Sequence, residues 1–151
     1  MPKLTNNERG GFTDAIRLTA ADLAAIAAGG AKTIATIPAG GAIELVGLST
    51  SGSFSTTPTG NVSVGISGTT AKYLAAAVPG TTTASAGRYN TGSGFTAGTG
   101  VTGSGLSQAI DFVTVDTPVI LTAVAGNYSA LTSGEIVVAI RILDPVRFNN
   151  A

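Results

Sequence analysis

Glu135-Ile136-Val137-Val138-Ala139-Ile140-Arg141-Ile142-Leu143 is the stretch that decides the fold. Ile136, Val138, Ile140 and Ile142 fall on one side of an extended backbone. Glu135, Val137, Ala139, Arg141 and Leu143 fall on the other. A period of two over this length marks a strand with a buried face, because successive side chains alternate across a sheet. Asp144-Pro145 ends the run, since proline has no N–H to donate to a ladder.

Working back from this strand, the same signals recur between turn residues. Val62, Val64 and Ile66 alternate with Ser63 and Gly65. Residues 12–18, 31–37, 42–50, 73–78, 109–115 and 119–124 are further extended runs. Pro38-Ala39-Gly40-Gly41, Pro79-Gly80 and Asp116-Thr117-Pro118 punctuate them. One segment differs. Thr19-Ala20-Ala21-Asp22 has the spacing of a capping box, with Asp in place of the usual Glu or Gln. Leu23, Ile26 and Ala27 then share one helical face, and Gly29-Gly30 supplies the left-handed C-cap. Seven or eight strands and one short helix, without alternation of the two, predict an all-β chain. The expected architecture is an antiparallel β-sandwich with a jelly-roll-like arrangement. Its 151 residues suit one domain. Residues 1–11 form a polar N-terminal arm, 12–143 the sandwich and 144–151 a C-terminal tail.

Composition excludes several kinds of chemistry. The chain has no His, Cys or Trp, which removes thiol nucleophiles, disulfides, imidazole acid–base catalysis and the common soft metal ligands. Eight basic and eight acidic residues give a formal net charge of zero, so no basic field attracts nucleic acid or an anionic membrane. No apolar run reaches the roughly 18–20 residues of a membrane span or follows the charged N-terminus as a secretory signal. The chain is therefore expected to be made in the cytoplasm and not exported by the usual route.

The remaining constellations have ordinary explanations. Gly98-Thr99-Gly100-Val101-Thr102-Gly103 spells G-x-G-x-x-G but lacks the preceding strand and following helix that a dinucleotide site requires. The carboxylates are Glu8, Asp14, Asp22, Glu44, Asp111, Asp116, Glu135 and Asp144. Glu44 and Glu135 are the pair that could face each other across strands as acid and base, but cross-strand pairing of either with Arg141 or Lys72 is the simpler expectation. Ser–Lys chemistry would have to use Lys3, Lys32 or Lys72, none in a supporting motif. Asp111 and Asp116 straddle an apolar run and lack calcium-loop spacing. Arg88-Tyr89 is the one local hint of a nucleic-acid contact. Asn61-Val62-Ser63 and Asn127-Tyr128-Ser129 match glycosylation sequons without an export signal. No catalytic, cofactor or metal residue is assigned, and the chain is read as a non-enzyme.

Two features go beyond the fold. Residues 89–110 carry no charge and are rich in Gly, Thr and Ser, a length uncommon for a loop inside a compact domain. Several strands are also apolar on both faces. Val46 and Leu48 oppose Ile43 and Leu45, and Val137, Arg141 and Leu143 lie opposite the isoleucine stripe. A sheet with one wet face should be polar there, so a second copy of the chain is expected to cover it. Val46, Leu48, Val137, Arg141 and Leu143 are the expected self-contacts. The helix and long loops are the other candidate cover. Lys3, Leu4, Arg9 and Phe12 in or beside the arm, with Arg147 and Phe148 in the tail, are candidate anchors that order on a partner.

Residues 31–48, with Ile37-Pro38-Ala39-Gly40 at their centre, lead to Phe54 and then Asn61-Val62-Ser63-Val64-Gly65-Ile66. Tyr73-Leu74-Ala75-Ala76-Ala77 and the final strand after Gly134 complete the pattern. Over about residues 13–143 this resembles small structural proteins of tailed bacteriophages, and in kind the capsid decoration, or cement, proteins. The resemblance implies a homotrimer on the outer surface of a virion. Such a trimer clamps neighbouring major capsid protein subunits and uses no enzyme, cofactor, nucleic acid or membrane. On that resemblance the arm and tail are the grips on the shell. The long loop at 89–110 departs from the pattern. The alternatives are a fibre or adhesin module, with Tyr89 or Phe95 stacking on a host glycan, or a tail or baseplate structural protein.

Overall fold

The computed structural model describes residues 14–52, 54–79, 111–124 and 126–144. Eight strands lie among them: β1 (Asp14–Thr19), β2 (Lys32–Ile37), β3 (Ala42–Gly52), β4 (Val62–Ile66), β5 (Thr69–Ala77), β6 (Asp111–Phe112), β7 (Thr117–Ala123) and β8 (Glu135–Leu143). They make two four-stranded antiparallel sheets, ordered β1-β8-β3-β6 and β2-β7-β4-β5. The helix, α1 (Ala20–Gly29), joins β1 in one sheet to β2 in the other. The chain is all-β with one short helix, as the strand periodicity and capping box predict.

The topology follows a simple rule. β1 pairs with β8, β2 with β7, β3 with β6 and β4 with β5. These are the pairings of one long hairpin whose tip is Ser67-Gly68. The hairpin is rolled so that β8 also meets β3 and β7 also meets β4. Antiparallel pairing then sorts the connections between two ends. At the helix end lie α1, residues 54–61, residue 124 and residues 126–134. At the turn end lie Pro38–Gly41, Ser67-Gly68 and Val113–Asp116. β1 begins and β8 finishes at the turn end, on adjacent strands.

The core is the layer between the sheets. Leu18, Ile43, Leu48, Ile136, Val138 and Ile140 from one sheet meet Ile37, Val62, Val64, Leu74, Val119 and Leu121 from the other. Leu23 and Ile26 of α1 plug the helix end. Fully burying a side chain of this size contributes about 1.5–3 kcal/mol, which is what holds the layers together. The alternation read from β8 is realised. Ile136, Val138 and Ile140 are fully buried, while Glu135, Val137, Ala139 and Arg141 remain partly exposed.

The capping box is present with Asp in its third position. Asp22 N–H donates to Thr19 Oγ1 at 3.2 Å, and Thr19 N–H donates to Asp22 Oδ2 at 2.8 Å. These bonds hold the Asp22 carboxyl below the usual carboxylate range, chiefly through the Thr19 backbone N–H. Gly30, with φ +91°, closes the helix by donating to Ile26 O at 2.7 Å.

Three expectations need correction. Strand β5 begins at Thr69, not residue 73, because Ser67-Gly68 is a two-residue hairpin turn with Gly68 at φ +81°. Thr69–Lys72 shows no apolar alternation because β5 bulges there against β4. Gly65 makes that bulge possible, since a Cβ there would collide with the backbone of Thr69, Thr70 and Lys72. Next, β7 begins at Thr117, so Pro118 stands at the start of a strand and not in a turn. The turn lies just before it, where Thr117 Oγ1 donates to Val115 O.

The third correction concerns β3. Its register against β8 shifts between Ile43 and Leu45, leaving Glu44 as an extra residue. A bulge moves every later side chain to the opposite face. Val46 and Leu48 therefore pair with Ile140 and Val138 and share their inward side. Leu48 is only 8% exposed, and Val46 packs against the core. Both lie on the core face, so they do not belong with Val137, Arg141 and Leu143.

Candidate interaction surface

The residues singled out in the sequence separate into three groups. Lys3, Leu4, Arg9, Phe12, Arg147 and Phe148 lie outside the described residues, as do the 89–110 loop, the G-x-G-x-x-G string and Arg88-Tyr89. Their points of attachment are described. Asp14 opens β1 and Leu143 closes β8 at the turn end, where Asp14 pairs with Ile140 and Leu143 with Ala42. Leu48 is in the core and Val46 packs against it from the same side. Val137, Arg141 and Leu143 remain together on the outer side of the first sheet.

That outer side can be read row by row from the register. Arg17 stands opposite Val137, Ala15 opposite Ala139, and Ala139 opposite Gly47. At the turn end Leu143, Ala42 and Phe112 form one row across three strands. Phe112 is 71% exposed and the neighbouring Val115 66%. No sequence signal marks Phe112 as exposed, because its run contains apolar residues on both parities. Only the pairing of β6 with the first residues of β3 fixes which way it faces.

Several charged groups are tied into the structure. Arg17 Nη1 donates to Glu135 Oε1 at 2.7 Å across β1 and β8. The cross-strand partner of Glu135 is thus Arg17, in place of the expected Arg141 or Lys72. Glu44 and Glu135 lie at opposite ends of the β3–β8 ladder, Glu44 beside Ile142 and Glu135 opposite Gly52. That register separates them by most of a strand's length, and they do not form an acid–base pair. Asp116 accepts from Ala39 N–H at 2.8 Å and so ties together two turns.

Asp111 is the centre of the most connected polar cluster. Lys72 Nζ reaches its Oδ2 at 2.6 Å and Tyr73 Oη donates to the same oxygen at 2.7 Å. Lys72 also sits 5.5 Å from the centre of the Tyr73 ring. Burial alone would raise the Asp111 carboxyl, but the bonds from Lys72 and Tyr73 and the Lys72 charge outweigh it and leave it lowered. Burial first, then the bond to Asp111 and its charge, push the Tyr73 hydroxyl far above its ordinary value. A carboxylate kept ionised and a phenol kept protonated are poorly suited to exchange protons near neutral pH. The geometry is that of a staple. Lys72 and Tyr73 belong to β5 at the edge of one sheet, and Asp111 to β6 at the edge of the other.

A second polar cluster closes the helix end. Tyr128 is buried in the 3-10 turn Tyr128–Ala130, and its hydroxyl donates to Gly60 O. Burial pushes that hydroxyl up to about 12. Asn127 accepts from Thr59 N–H and donates to Thr57 O, so the asparagine of that sequon is occupied internally. Ser63 of the other sequon is buried in β4 and bonded to Thr122.

Among the described residues, no three Asp or Glu side chains come together as a metal site, and no helix is long and apolar enough to cross a membrane. The chain matches no protein-family model, no curated protein and no solved structure.

Proposed function

We propose that the chain is a structural virion protein that decorates the outer surface of a tailed-phage capsid and stabilises it by clamping neighbouring major capsid subunits. The observation that carries this reading is the exit of both termini from adjacent strands at one end of the sandwich. On this reading Lys3, Leu4, Arg9 and Phe12 of the arm and Arg147 and Phe148 of the tail are the grips on one partner surface. We read the strand order 1-8-3-6 and 2-7-4-5 as a jelly roll, an architecture used by viral capsid and lectin domains. Three copies acting together would grip several subunits at once, so modest single contacts add through effective concentration. Zero net charge suits a protein that must leave packaged DNA alone.

The test is deletion of residues 1–11. The shortened chain is expected to keep its β-sheet circular dichroism spectrum and lose binding to purified capsids of the encoding phage. Binding equal to that of the full chain contradicts the arm's role. A second reading, a fibre or adhesin module, draws on the lectin use of the same strand order. It predicts retention of defined glycans on an array and no effect on the heat stability of capsids.

A further inference from the structure

We infer that Phe112 and Val115, at the turn between β6 and β7, form an apolar anchor that seats in an apolar hollow of a capsid subunit. Exposed apolar side chains scattered singly are ordinary on a protein surface. These two are not scattered. Among the described residues the exposed large hydrophobics are Phe112, Val115 and Val124. Phe112 and Val115 stand three positions apart at the turn end, whereas Val124 lies alone at the helix end. Between the two, Val113 packs against the core. Ala42, which separates Phe112 from Leu143 in the end row, is fully buried. The anchor is thus a local projection of the turn end and no part of a continuous apolar sheet face.

The backbone that carries the pair is held on every side. Val113 N–H donates to Gly41 O at 3.0 Å, and Gly40 N–H donates to Val113 O at 2.9 Å. Thr117 Oγ1 donates to Val115 O at 2.8 Å, and Asp116 Oδ1 accepts from Ala39 N–H at 2.8 Å. Just before Phe112, Asp111 is fixed by Lys72 and Tyr73. Apolar side chains on an already ordered backbone lose little conformational freedom on docking, so more of their burial is realised as affinity. A few such residues carry most of the binding in a protein interface.

Position indicates the occupant, and here the inference rests on the proposed function, which brings the turn end to the shell. Phe148 stands five residues beyond Leu143. A surface that Phe148 grips therefore lies within roughly 18 Å of Leu143, whatever path the chain takes. Phe112 is two strands from Leu143 in the same row, a separation of roughly 10 Å. The subunit that takes the tail is close enough to meet the anchor.

Co-sedimentation with purified capsids of the encoding phage, prepared without this chain, tests the inference. The full chain is expected to bind, and Phe112→Ser and Val115→Ser are each expected to weaken binding about tenfold or more. Their thermal midpoints stay close to that of the full chain, because both side chains are exposed. Val124→Ser, at the helix end, binds as the full chain does. Hydroxyl-radical footprinting read by mass spectrometry needs no variant, and labelling of Phe112 is expected to fall severalfold on the capsid. Should a serine variant lose its β-sheet spectrum, this protection decides. Serine variants that bind like the full chain, or equal labelling of Phe112 free and bound, overturn the anchor while shell binding stands. A full chain that does not bind these capsids overturns the proposed function and the anchor with it.

Discussion

Asp111 holds two donors from a strand 38 and 39 positions earlier in the chain, and the sheets meet at one edge through that single oxygen. Its folded-state carboxyl is lowered, whereas an unfolded aspartate titrates near pH ~3.9. The sign follows directly. The staple's stabilisation is complete above that pH and is lost as pH falls through the lower folded value. Thermal midpoints should therefore drop below about pH 4, and Asp111→Asn should flatten that part of the profile. At neutral pH the same substitution should cost about 1–3 kcal/mol, read by urea denaturation, because Lys72 is left partly buried without its carboxylate. A wild-type midpoint that does not change with acid, or an Asn variant of full stability, contradicts the staple.

Gly134 makes a second residue-scale case. It sits at φ +129°, and a Cβ there would collide with the Phe54 ring. Gly134→Ala thus combines backbone strain with a steric clash and should destabilise by more than about 1 kcal/mol. Gly29, where a Cβ meets open space, is the control, and Gly29→Ala should change stability far less. Equal midpoints for the two variants contradict the packing of Phe54 on Gly134.

At the scale of elements, what was legible in the sequence had a local cause. β8 declares itself because its side chains from Glu135 to Ile140 alternate between the outer side and the core. Helix α1 declares itself because its cap is built from residues three apart. Thr19→Ala removes the side-chain half of that cap and should cost about 1 kcal/mol by chemical denaturation, an effect that Thr19→Ser largely restores. What the sequence hides are features set by a distant partner. The Glu44 bulge exists only relative to β8, and it moves Val46 and Leu48 from the outer face to the core. The cross-strand pairing of Glu135 with Arg17 depends on β1 lying beside β8, which no local pattern announces. Strand β5 hides its first four residues because they bulge over Gly65 instead of alternating. Val137, Arg141 and Leu143 keep their places on the outer side of the first sheet, where Phe112 joins them.

At the scale of the whole molecule, the rolled hairpin places the start of β1 beside the end of β8 and gathers the short turns at that same end. The helix end is closed by α1, the buried Tyr128 and the segment around Thr57–Gly60. Two polarised ends suit the proposed role of a module that repeats over a surface. On the proposed function, the end where β1 begins and β8 finishes is the one that meets the shell. A lattice-bound protein must be present in numbers set by that lattice, which no fibre or baseplate component needs.

The copy number of this chain per purified virion, by quantitative mass spectrometry against the major capsid protein, tests that claim most directly. Hundreds of copies, near one per capsid subunit, are predicted. Tens or fewer would place the chain in the tail, the fibres or a unique vertex, and its absence from the particle would contradict the virion assignment altogether.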